Sequence, residues 1–207
     1  MALTKVIGNG LGTLGDGTAN DTKIVFNGNA QDYHIGLDDS ADTLVIGKGS
    51  ALGTTTSMSF DANGIITKPR QPSFLAVGQT QTNIAVGSDQ TLQFATEVFD
   101  RNADYNNSNY TFTAPLEGLY HLNVQGYIRE MDTAASYIQV AIRVSNRTIY
   151  WLIDPNLSAD ASYFPISISS LVDMDANDTA HVAYNQGTGA AQTQIDTGIY
   201  FTGYLVA

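Results

Sequence analysis

The run Ile138-Gln139-Val140-Ala141-Ile142-Arg143-Val144-Ser145 alternates large apolar residues with polar or small ones. A period of two places every second side chain on one face of an extended strand, whereas a helix would scatter the same residues around its circumference. Residues 120–125 repeat the pattern, with Tyr120, Leu122 and Val124 on one face and His121, Asn123 and Gln125 on the other. Even the best helix candidate, REMDTAASYIQVAIRV, reads better as two strands joined by a turn. The chain is therefore expected to be all-β. Charged residues make up only 14% of the sequence, against about a quarter in an ordinary globular domain. Small polar residues replace them, as on the outer faces of sheets.

Two textures divide the 207 residues. Up to about residue 68 the apolar runs are short (KIVF, YHIG, TLVIG, SMSF, GIIT) and bounded by Gly, Asn and Asp. Asp21-Thr22 recurs as Asp42-Thr43 in a faint repeat. Such short strands have too little of their own to bury, and three chains wound together as a β-stalk would bury their faces; a small hairpin domain is the alternative. KPRQPS, residues 68–73, carries two prolines that stiffen the chain and end strand pairing. Beyond it, nine longer candidate strands suggest two packed sheets with a jelly-roll count. The expected organisation is an attachment segment over 1–20, a β-rich stalk-like region over 21–68 and a jelly-roll head over 69–207.

The formal charge of −11 disfavours contact with a phosphate backbone, so no nucleic-acid partner is expected. The chain has no cysteine, so neither a disulfide framework nor a thiolate metal site can form, and stability must come from packing within and between subunits. The opening MALTKVIGNGLGTLGDG lacks an apolar core of signal-peptide length, and no stretch is expected to insert in a membrane. Assembly in a host cytoplasm and release by lysis, as part of a particle, fits these features.

FDRNADYNNSNYTFTAPLEGLYHLNV, residues 99–124, resembles the signature of the C1q and tumour-necrosis-factor-like globular heads. It presents Phe99, Asn102, Tyr105, Phe112, Pro115, Gly118 and Tyr120 in the order that family uses. NDTAHVAY and the closing IYFTGYLVA, with Phe201, Gly203 and Leu205, extend the resemblance over residues ~72–207. The resemblance implies a C1q/TNF-like jelly-roll sandwich and a homotrimer. Physically, Pro115 is expected to stop pairing, Gly118 to take turn angles barred to other residues, and Tyr120 to re-enter the core. Asn177 stands where the family has glycine, which leaves the geometry of that turn open, and no collagen-like tract precedes the head. The N-terminal stretch is similar to bacteriophage fibre and virion-surface proteins, especially those of phages infecting aquatic bacteria.

Little in the sequence suggests catalysis, and no cofactor is expected. His34, His121 and His181 have no ligand-spaced neighbours, and no serine sits in a nucleophile elbow. Asp173, Asp175 and Asp178 begin like a calcium loop but lack its glycine and its closing glutamate, so a turn competes with a metal site there. Asp38, Asp39, Asp42, Asp154 and Asp160 form similar acidic runs that could meet a cation only at a trimer axis. Trp151 is either core or a sugar-stacking platform. Tyr105, Asn106, Asn107 and Asn109 lie in a loop of the aromatic-amide type that contacts carbohydrate or protein. The expected function is a non-enzymatic trimeric virion surface protein. It would be either a capsid decoration protein or a short fibre contacting a host glycan or protein, held to other virion proteins by its N-terminal region. A free C1q-like binding or lectin-like protein is the alternative.

Overall fold

A computed structural model describes residues 14–15 and 17–207; the opening segment read as an attachment region lies mostly outside the described residues. The chain separates into two compact units between Gln71 and Pro72. Apart from a 3-10 turn at Asp39–Ala41, the described regular structure is strand.

The first unit is one antiparallel sheet whose strands lie side by side in chain order. They are β1 (Thr22–Phe26), β2 (Tyr33–Asp38), β3 (Thr43–Lys48), β4 (Thr56–Phe60) and β5 (Ile66–Thr67). The short apolar runs of the sequence are these strands, and the repeated Asp-Thr pairs open β1 and β3 on either side of β2. Register stacks Ile24, Ile35, Ile46 and Met58 in one row and Leu37, Leu44, Phe60 and Ile66 in the next, all on one face. The opposite face carries His34, Gly36, Val45 and Gly47. Val45 is the unit's one fully buried hydrophobic residue among those described.

The second unit is a two-sheet sandwich. One sheet runs β13 (Arg147–Ile153), β12 (Ile138–Val144), β15 (Thr179–Gln186), β10 (Thr111–Thr113) and β9 (Tyr105–Asn106), with β7 (Gln90–Thr91) also on β15. The other runs β14 (Ala161–Met174), β11 (Gly118–Met131), β16 (Ile199–Leu205), β6 (Ser73–Val77) and β8 (Thr96–Asp100). The alternating residues behave as their period requires: Tyr120, Leu122, Val124, Ile138, Val140 and Ile142 are all fully buried between the sheets. Pro165 sits in the middle of β14 without harm, because β14 is the edge strand of its sheet.

Nine strands were expected here and eleven are found. TLQFATEVF, which reads as one strand, is split: β7 ends at Thr91, Leu92 and Phe94 drop fully buried into the core, and β8 starts at Thr96 on the other sheet.

The turn chemistry around TFTAPLEGLY also differs in one respect from its reading in sequence. β10 ends at Thr113, and Ala114 is pinned by backbone bonds to Asp178 O and from Asn177 N, both 2.8 Å. Gly118 does not take left-handed angles. It opens β11 in a place where a Cβ would come within 2.7 Å of Ala207 O and of the Leu205 side chain, so space and not a turn requires glycine. Tyr120 is buried as expected and donates its hydroxyl to Leu116 O at 2.9 Å, tying the turn to the core. Asn177, in place of glycine, adopts φ 75°, a conformation asparagine tolerates, and the turn closes through Asp178 N to Asp175 O at 3.0 Å.

Phe74 occupies the centre of the sandwich. Its ring stacks on Tyr105 at 4.8 Å and Phe112 at 5.0 Å and meets Phe201 edge-on at 5.0 Å. Phe74→Ala is expected to lower the stability of the head by about 3–5 kcal/mol. Chemical denaturation at fixed protein concentration measures this, and a loss under about 1 kcal/mol would show that the site collapses freely.

Candidate functional site

The surface most distinct from an ordinary solvated sheet is the outer face of β14-β11-β16-β6-β8. Strand register assembles it from residues far apart in the chain. One row runs Leu171, His121, Tyr204 and Ser73; the next runs Ser169, Asn123, Thr202, Leu75 and Phe99; a third runs Ser167, Gln125, Tyr200 and Val77. Arg129 faces Tyr163, and Tyr127 faces Pro165, toward one end.

Leu119, Leu171, Phe99, Tyr163, Tyr200 and Tyr204 are each 41–61% exposed, so this face is a broad apolar and aromatic surface with a polar middle of Asn123, Gln125 and Thr202. Such a face is poor in charge, and its charged side chains are engaged. Arg129 pairs with Asp196 at 3.3 Å and lies 5.3 Å over the Tyr163 ring. Asp173 pairs with Arg147. Side-chain orientation is set locally: His121 Nε2 lies 2.7 Å from Ser169 Oγ with its ring against Tyr204, and Tyr127 meets Tyr163 edge-on at 5.2 Å. Burial and the Asp196 carboxylate together hold the Tyr127 hydroxyl above its usual range, so it stays a neutral donor.

The outer face of the other sheet is built differently. Arg143 bonds Asp89, Thr148 Oγ1 at 3.1 Å and the Tyr150 hydroxyl at 3.2 Å, while Asn185 Nδ2 donates to the same Asp89 at 2.8 Å. This is a polar network centred on Arg143 and Asp89. His181 beside it is held below its usual pKa, first by burial and then by Arg143, with Asp89 opposing.

The sequence-derived candidates scatter. Tyr105 is buried, stacked on Phe74, with its hydroxyl donating to Phe94 O at 2.8 Å, so it belongs to the core and not to the exposed surface of the loop. Asn106, Asn107 and Asn109 remain exposed on a short hairpin loop, where Asn106 Oδ1 accepts from Ser108 N at 2.9 Å. Asp175 and Asp178 bond to each other across the β14–β15 turn, Asp175 N donating to Asp178 Oδ2 at 3.0 Å. Asp160 accepts from Thr133 N, Thr133 Oγ1 and Gln192 Nε2, which holds its carboxyl below the usual range. Asp38 accepts from Ser40 Oγ at 2.7 Å, Asp39 opens the 3-10 turn, Asp42 caps it with φ 50°, and Asp154 O accepts from Asn156 N. Among the described residues, no three acidic or histidine side chains converge on a point that could hold a metal ion. Trp151 faces inward, edge-on to Phe164.

A family model described as "C1q domain" matches residues 73–206. The chain belongs to the C1q domain family. The solved globular domain of zebrafish complement 1qA protein is 13% identical and superposes with a TM-score of 0.50, over 66% of this chain and 98% of that one. Murine APRIL at pH 8.0 is 10% identical, with a TM-score of 0.49 over 66% of this chain and 99% of that one. The first likeness shows the fold: the head is a C1q-like jelly-roll sandwich. No curated protein matches the sequence. Phe112, Tyr120 and Phe201 of the expected signature are fully buried in this C1q sandwich, Gly203 lies under the Phe74 ring, Pro115 is exposed at the turn, and Phe99 lies on the outer face.

The histidine on the polar network provides a pH test. Because the fold depresses the His181 pKa, the unfolded chain takes up a proton near pH 6.5 before the folded one does. His181 therefore subtracts stability as pH falls through that value and subtracts nothing well above it. His181→Gln is expected to flatten the fall in denaturation midpoint between about pH 7 and about pH 5. An unchanged slope would assign the fall to other groups.

Proposed function

We propose that this protein is a non-enzymatic, homotrimeric virion surface protein of phage type, in which three C1q heads pack through the outer face of β14-β11-β16-β6-β8. One observation carries the trimer: tyrosine, phenylalanine and leucine side chains stand half-exposed across a charge-poor sheet face, while the opposite sheet carries a polar network centred on Arg143 and Asp89. Interfaces between subunits are enriched in aromatic residues and depleted of charge at their centre. Burying six such side chains from half-exposed to closed contributes on the order of 1 kcal/mol each, enough to hold three heads together.

The virion setting rests on the resemblance read in the N-terminal sequence and on the net charge of −11 and absence of cysteine. In this reading the N-terminal region holds other virion proteins, and the heads either decorate a capsid or reach a host glycan or protein. The family match alone also favours a free C1q-like binding protein. Both readings share the head trimer and differ in where the protein resides.

Light scattering is expected to give a native mass three times 22.1 kDa. Replacing Tyr200 and Tyr204 together by Glu is expected to lower the denaturation midpoint of the head at fixed protein concentration, by placing charge in an apolar interface; an unchanged midpoint would move the head interface elsewhere. Gold-labelled antibody on intact particles separates the settings. Label over the shell means decoration, label at the tail or a few vertices means a host-contact fibre, and no label leaves the free binding protein.

A further inference from the structure

The N-terminal sheet has its apolar side turned outward. Ile24, Phe26, Tyr33, Leu37, Leu44, Ile46 and Ile66 are 37–58% exposed, and register puts all seven on one face. The other face cannot serve as an alternative core. A Cβ at Gly36 would lie 2.5 Å from the Lys23 Cβ, and one at Gly47 would lie 2.6 Å from His34 Nε2, so paired residues there approach more closely than side chains permit. The sheet closes on its glycine side and leaves its isoleucine side open. Within this unit, Val45 is the only fully buried hydrophobic residue among those described. A five-stranded sheet whose one closed face holds a single buried hydrophobic residue among those described lacks the burial that folding requires.

We infer that this face is covered by the same face of other copies of the chain, making the N-terminal unit an obligate interchain core. The inference rests on the homotrimer proposed above and adds the residues that hold its stem together. Three observations select a second copy over another occupant. Seven large side chains, each about half exposed, expose roughly 500–700 Å² of contiguous apolar surface, at or beyond the upper limit for a monomer and close to the ~800 Å² per partner of a stable interface. The face carries no charge at its centre for an oppositely charged partner to read; Lys48 stands only at its corner, across from Tyr33. Because the unit has no core without its cover, the cover must be present when the chain folds, and an identical chain is the partner always available then. A hollow of about 290 Å³ between Leu14, Ile24, Ile35, Leu37 and Leu44 would receive a side chain of the neighbouring copy.

The absence of cysteine makes the test direct. Ile46→Cys and, as a second position, Leu44→Cys are made in the full chain, with Asn29→Cys in an exposed loop of the same unit as control. Maleimide labelling is followed in the purified protein, with native mass measured on the same sample. Labelling at 46 or 44 at least ~100-fold slower than at 29, together with a trimer mass, is the expected result, since the thiol is reached only by local opening. Labelling at the control rate in a trimer overturns the inference while leaving the head trimer standing, and assigns the face to another virion protein. Slow labelling in a sample with the mass of one chain overturns it too, because the chain then covers its own face. Fast labelling in such a sample overturns both the interchain core and the homotrimer.

Discussion

The packing of Phe74 is the constraint on which the head depends. It is carried by β6 of one sheet, and the rings it stacks on, Tyr105 and Phe112, are carried by β9 and β10 of the other. The contact therefore closes the sandwich. Its consequences spread outward. Position 203 must be glycine, because a Cβ there would stand 2.6 Å from the Phe74 ring. Tyr105 must lie flat in the core, so its hydroxyl needs a buried acceptor and finds Phe94 O. Phe94 in turn lies on the segment that carries the chain from β7 to β8, across from one sheet to the other. The TFTAP stretch looks ordinary in composition because its function is to deliver Phe112 to that stack and then stop.

Strand existence and inward direction were legible wherever the alternation was long, because a period of two leaves one choice of face and burial selects it. Ile138 to Val144 and Tyr120 to Val124 are such cases. Legibility failed where burial occurs without pairing. Leu92 and Phe94 belong to no ladder, so their alternation looked like strand continuing through TLQFATEVF. Tyr105 failed for a related reason: an Asn-rich neighbourhood signals a loop, and only the three-dimensional position of Phe74 reveals that this tyrosine is drawn inward. The aromatic outer face was invisible in sequence because Tyr163, Tyr200 and Tyr204 become neighbours of Arg129, Gln125 and His121 only through the β11 register.

The two units solve the problem of burial in opposite ways. In the head, two sheets supply each other with a covered face, and the outer surface is free to be polar on one side and aromatic on the other. In the N-terminal unit there is one sheet, and glycines at 36 and 47 remove the volume from one side of it. That leaves His34 on the glycine side, its Nδ1 2.8 Å from Gly49 O, and leaves the isoleucine and leucine side chains of β1–β3 on the far side. The same alternation thus specifies a core in one unit and an exposed apolar face in the other, and strand pattern alone does not distinguish them. The distinction lies in what stands opposite: a second sheet in one case, small residues in the other.

If both apolar faces serve assembly, recognition of anything further falls to the loops, and the loop at 100–110 is built for it. Asp100 accepts from Asp104 N and Tyr105 N at 3.2 and 2.9 Å, and Asn102 donates to both oxygens of Asp104. Desolvation, opposed by the Asn102 bonds and reinforced by the charge of Asp100, raises the Asp104 pKa. Beneath this frame Tyr105 is anchored on Phe74. The exposed amides of Asn106, Asn107 and Asn109 therefore project from a base fixed by the same aromatic stack that closes the sandwich. A loop held this way loses little conformational entropy when it meets a ligand, and three copies on one trimer multiply a weak contact through effective concentration. The constraint that folds the head also fixes the base from which this loop projects.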